Sequence, residues 1–123
     1  MKQHFDRRID ILKSCQTEGW DGRGAIPVSQ TAIDNVIKCK DVIDTNEWLI
    51  APDVCGGVDI SNKMLSAGVV FHSDNTITWF CEDEYCIYGE EKIEFTIEKA
   101  KALFNGLIKS FITHEDINEL KEL

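Results

Sequence analysis

The chain has 123 residues, a length that a single hydrophobic core can organise, and its 43% hydrophobic and 28% charged content excludes disordered, collagen-like and fibrous classes. Thirteen Lys and Arg against 22 Asp and Glu leave a net charge of −9, which argues against a surface that grips nucleic-acid phosphates or anionic lipid heads and makes a neutral or basic partner the expectation. Apolar runs stop at four or five residues, far short of the ~20 that cross a bilayer. An amphipathic pattern follows Met1-Lys2-Gln3-His4, where a secretory signal would be apolar, so the expectation is a cytoplasmic protein with no membrane contact. Cys15, Cys39, Cys55, Cys81 and Cys86 are odd in number and lack an export signal, and read as reduced, buried or half-buried thiols.

Phe5, Ile9, Leu12 and Cys15 recur at helical spacing and predict a helix over 3–17, stopped by Gly19 in a left-handed conformation. Residues 19–27 contain Gly19, Gly22 and Gly24 and predict an ordered loop. A second helix over 29–44 carries the stripe Ala32, Ile33, Val36, Ile37 and Ile43, with Ser29 as N-cap and Val28 and Ile33 placed for a hydrophobic staple. Short β-branched and aromatic runs follow: Trp48-Leu49-Ile50, Val58-Asp59-Ile60, Ala67 to Phe71, Thr76 to Phe80, Tyr85 to Tyr88, and Lys92 to Phe95. Turn residues separate them at Ser61-Asn62, Asp74-Asn75 and Gly89-Glu90. Connections this short exclude parallel crossovers and predict an antiparallel meander. Within it Ile77, Trp79 and Cys81 share one face and Thr76, Thr78 and Phe80 the other, so one face meets helices and one is partly wet. Ile97, Ala100, Leu103, Phe104, Leu107, Ile108 and Phe111 predict a core helix over 97–111, and Thr113 with Asp116 opens a short fourth helix that turns Ile117 and Leu120 inward. The fold expected is α+β in two layers: an antiparallel meander of four or five strands with three main helices mostly on one face.

The loop Gly19-Trp20-Asp21-Gly22-Arg23-Gly24-Ala25-Ile26-Pro27 matches neither a phosphate loop, which places Lys-Ser/Thr after its last glycine, nor a dinucleotide fingerprint, which follows a strand. Trp20, Asp21 and Arg23 make it a candidate ligand loop; the structural reading is that Trp20 plugs the core, Asp21 caps a turn and Arg23 pairs with a nearby acid. The run Gly19-Trp20-Asp21-Gly22-x-Gly24-Ala25-x-Pro27 between two helices, followed by a strand-rich half, resembles a group of small uncharacterised proteins of bacterial and phage genomes. The chain departs from that group at Arg23, where an aromatic is common, and in carrying Cys55-Gly56-Gly57. The resemblance implies a fold outline and a mobile-element setting.

No cofactor signature is present. Cys81-x4-Cys86 with His72 and Cys55 supplies soft ligands, but structural zinc sites use closer and usually doubled cysteine pairs, so no metal is expected. Cys55 with His72 as base is the nucleophile pairing to weigh, and it belongs to the alternative reading of a small enzyme or ligand-binding domain around Trp20, Asp21 and Arg23. The preferred reading is non-enzymatic. Glu82, Asp83, Glu84, Glu90 and Glu91 form an acidic stretch with Tyr85 and Tyr88 as aromatic anchors. As a site it would dock on a basic protein surface, such as that of a nucleic-acid-binding protein; as plain structure it is a charged edge that resists aggregation. An acidic accessory or inhibitor protein of a phage or mobile element is the function expected.

Overall fold

The computed structural model describes residues 4–44, 48–62, 66–82 and 85–108. Five strands form one antiparallel sheet in sequence order: β1 (Leu49–Pro52), β2 (Val58–Asn62), β3 (Ala67–Phe71), β4 (Thr76–Glu82) and β5 (Ile87–Glu94). Helices α1 (His4–Ser14), α2 (Gln30–Lys38) and α3 (Lys40–Asp44) precede it, and α4 follows over 97–108. The α+β meander expected from the sequence is the architecture observed.

Strand alternation sorts the side chains. Ile50, Val58, Ile60, Val69, Phe71 and Ile77 are buried on the face covered by helices, where Phe5, Leu12, Ile33, Val36, Ile43 and Phe104 join them in one apolar cluster. Trp79 and Cys81 flank that cluster, as the β4 pattern predicts, and Ile93 of β5 joins them. Phe104 of α4 meets Trp48 edge-on at 5.1 Å between ring centroids and stacks on Phe71 at 6.2 Å, which docks the last helix over the sheet centre. The opposite face stays partly wet, and there the Phe80 ring lies over Gly68 so closely that a Cβ on Gly68 would come within 2.5 Å of it. A side chain at residue 68 would therefore displace the ring.

Five local expectations are corrected. The first helix ends at Ser14, not near 17: the Cys15 N–H bonds the Leu12 carbonyl at 3.0 Å and the Ser14 hydroxyl caps the Ile11 carbonyl at 2.6 Å, which closes the last turn before Gly19. Gly19, at φ +69°, serves the following loop instead. The helix over 29–44 is two helices, because the Cys39 N–H turns back to the Val36 carbonyl at 3.0 Å and the chain restarts as one short turn. Ser61-Asn62 belongs to β2 rather than to a turn. Gly89-Glu90 is no turn either: the two strands expected around it are the single strand β5. Its irregularity is a bulge, in which Glu91 and Lys92 together oppose Thr78, between the pairs Trp79–Glu90 and Ile77–Ile93. Lys92 takes φ +48° there and donates its N–H to Thr78 Oγ1 at 3.0 Å. Ile97, expected in the core stripe, is exposed. The short helix expected from Thr113, with Asp116, Ile117 and Leu120, lies outside the described residues.

One buried polar side chain ties the layers together. Asn35, on the inner face of α2, donates from Nδ2 to Asn75 Oδ1 at 2.8 Å, and Asn75 holds φ +66° in the turn between β3 and β4. Asn35→Ala removes this bond and opens a small void, so chemical denaturation should show a loss of about 0.5–1.5 kcal/mol; an unchanged midpoint would contradict this role.

Candidate functional site

β5 is an edge strand, and its exposed end carries the acids singled out in the sequence. Glu82 on β4 and Glu90, Glu91 and Glu94 on β5 are exposed. Among the described residues no lysine or arginine forms an ion pair with any of these four; the ion pairs observed are Lys40–Asp6, Lys92–Asp74 and Lys101–Asp41. Glu90 Oε1 instead accepts from Trp79 Nε1 at 3.3 Å. Tyr85 is 90% exposed and Ile87 70%, with Tyr88 and Phe80 also open to solvent. Asp83 and Glu84 lie outside the described residues.

Register decides how these groups are displayed. Tyr88 pairs with Cys81 and Glu90 with Trp79, so both side chains fall on the helix face, whereas Ile87 pairs with Glu82 and Gly89 with Phe80 on the open face. Beyond the bulge Glu94 pairs with Thr76, again on the open face. The acids therefore follow one edge and occupy both faces of it.

The glycine loop holds its own candidates in structural roles. Asp21 Oδ1 accepts the Arg23 N–H at 2.8 Å and the Ala25 N–H at 3.1 Å, and the indole of Trp20 packs partly against the core while donating to the Ile26 carbonyl at 3.0 Å. Gly19, Gly22 and Gly24 all have positive φ. Arg23 is exposed, and no carboxylate among the described residues pairs with it, contrary to the pairing expected. The loop leans on the β1–β2 connection, where the Ile26 N–H reaches the Val54 carbonyl at 3.0 Å and the Ser29 N–H reaches the Gly56 carbonyl at 2.8 Å. Cys55 sits in that connection, beside the loop in the fold but unlinked by any hydrogen bond to Asp21 or His72 among the described residues. His72 Nε2 lies 2.7 Å from Thr78 Oγ1 on the open face.

Sequence reasoning missed Asp59. It occupies the open face of β2 between Ala51 and Val70, and its Oδ1 is buried with no hydrogen-bond partner among the described residues. Burial raises its carboxyl above the ordinary carboxylate value, and the nearby Asp53 charge adds to the rise. Its signal in the sequence was only one acid between Val58 and Ile60, the ordinary alternation of a half-wet strand.

All five cysteines are thiols, but Cys55 and Cys86 are exposed rather than buried. Cys81 faces Tyr88 across the ladder, not Cys86, which precedes β5. No group of three His, Cys, Asp or Glu among the described residues is arranged to hold a metal ion. No helix among them is long and apolar enough to cross a membrane. Comparison with protein-family models, with curated proteins and with solved structures finds no match to this chain.

Two measurements follow from these environments. Burial, opposed by Lys101, pushes the Cys39 thiol from 9.0 up to about 11. Native alkylation near neutral pH should modify Cys55 and Cys86 first and leave Cys15 and Cys39 until denaturant is added, as peptide mass mapping would show. For Asp59 the folded chain retains a proton that the unfolded chain gives up. Its stabilisation is thus whole below the ordinary carboxylate pKa and fades as pH rises through the elevated folded value. Asp59→Asn should raise the melting temperature at neutral pH, with the gain vanishing toward about pH 3–4; a gain independent of pH would contradict the assignment.

Proposed function

We propose that this chain is a small non-enzymatic binding protein whose acidic β4–β5 edge docks on a basic protein surface. The observation that supports it most is the row Glu82, Glu90, Glu91 and Glu94, exposed and without ion pairs to described lysines or arginines, beside the exposed Tyr85, Ile87 and Tyr88. Carboxylates left unneutralised keep a local negative potential that speeds encounter with a basic surface, and the neighbouring aromatic and aliphatic groups supply the contact area that holds it. Asp83 and Glu84, between β4 and β5 in sequence, extend the same run of charge. The resemblance of the Gly19–Pro27 loop to small proteins of bacterial and phage genomes favours an accessory or inhibitor role in a mobile element, and a cytoplasmic setting accords with the five thiols.

The alternative of a small enzyme or ligand domain around Trp20, Asp21, Arg23, Cys55 and His72 draws on one feature, the contact between the glycine loop and the connection that bears Cys55. Asp21, however, is occupied by loop amides and His72 stands beside Thr78. The edge reading is therefore preferred.

Glu82→Lys with Glu91→Lys tests it. Both sites are exposed, so stability should change by no more than about 0.5 kcal/mol. Immobilised chain should retain basic proteins at low ionic strength and release them as salt shortens the screening length to about 3–5 Å; the double variant, with unchanged circular dichroism, should retain none. Equal retention by both would refute the proposal.

A further inference from the structure

The acids and apolar groups of the proposed surface are divided between two faces of one strand, and that division restricts how a partner can read them. A partner lying flat on the helix face meets Tyr88 and Glu90 but not Ile87, Glu91 or Glu94; one lying on the open face meets the converse set. Only a partner alongside β5 reaches both. Among the described residues no strand occupies that side, since β5 ends the sheet order. The strand is eight residues long, roughly 26 Å of ladder. Its main chain is partly turned that way: the Phe95 N–H bonds the Asn75 carbonyl at 3.1 Å, so the Glu94 amide, one step along an alternating ladder, points to the open side. The other edge offers less, because β1 has four residues, ends in Pro52 and has α1 against it.

We infer that the partner is captured by strand addition: an extended segment of a basic protein lies along β5 as a sixth strand. This rests on the acidic-edge reading and specifies its mode. Charge and exposure together fix the chemistry of the segment. Running antiparallel, it carries Lys or Arg where it passes Glu94, Glu91 and Glu90, and aliphatic side chains where it passes Tyr88 and Ile87. A second copy of this chain fits poorly, since two β5 strands paired antiparallel over Ile87–Glu94 would set Glu90 against Glu91 twice and leave neither Lys92 opposite an acid.

The probe is the capped peptide Lys-Thr-Thr-Lys-Arg-Thr-Val-Ile, added to the isotope-labelled full chain, with two further versions N-methylated on alternate amides. Strand addition predicts amide shifts concentrated in Ile87–Glu94, slowed exchange of the Glu94 amide, and binding weakened about tenfold or more by one methylation set but not the other. If both methylated peptides bind like the parent while Glu82→Lys with Glu91→Lys still abolishes binding, strand addition is overturned and the acidic surface survives. If the charge-reversed chain binds as well as the natural one, or the parent peptide leaves the β5 amides unmoved, both fail. Sedimentation showing a dimer that the peptide cannot compete away would assign the edge to a second copy and overturn the inference.

Discussion

A meander with one apolar face must bury that face, and it must do so from one side. Val58, Ile60, Val69, Phe71 and Ile77 sit on the same face because side chains alternate with a period of two along each strand. Slipping any pairing by one residue would turn that set toward water and the open-face set, Asp59 among them, into the core. The four helices among the described residues answer this single requirement, and Trp48 and Phe104 close it from opposite ends of the sheet sequence. The hydrogen bond from Asn35 to Asn75 adds what apolar burial lacks, a direction: it sets α2 against one turn of the sheet and no other.

The same requirement explains the bulge. Ile93 must face inward beside Ile77, while Tyr88 and Glu90 stay in register with Cys81 and Trp79. Both alignments cannot hold along a regular ladder, and one additional residue in β5 reconciles them, at the expense of a left-handed Lys92. Thr78 absorbs the Lys92 N–H that the distortion releases, and it does so from the open face, where His72 also meets it. A local irregularity is thereby satisfied without disturbing the core.

Periodicity made the fold legible before any coordinates. The inward set of β4, the N-cap Ser29, which accepts from the Thr31 and Ala32 amides, and the Ala100–Phe104 stripe all occur where spacing places them. What spacing could not convey was competition between local and tertiary demands. Gly89 followed by two glutamates has the composition of a turn, yet it is strand because the ladder with β4 continues through it, and a Cβ on Gly89 would come within 2.2 Å of the Trp79 carbonyl oxygen. Helix α1 ends three residues early because Ser14 caps it from within, a device invisible to an apolar stripe. Asn35 reads as one more polar helix residue until Asn75, forty positions away, is brought beside it. For the candidate site, the sequence located the acids and tyrosines but not their division between two faces, which only the register of β4 with β5 reveals.

That division bears on a tension in any exposed edge. Charge on an edge strand is the usual defence against unwanted pairing, and Glu90, Glu91 and Glu94 serve that purpose against neutral or acidic strands, including other copies of this one. Defence of this kind is selective rather than absolute, because repulsion between like charges becomes attraction when the incoming strand is basic. The exposed Ile87 and Tyr88 at the far end of the same strand would be a liability on an unguarded edge; beside three carboxylates they are open only to a chain that first satisfies the charge. Under the proposed function, resistance to aggregation and recognition call for the same residues, and the acidic edge is both barrier and filter.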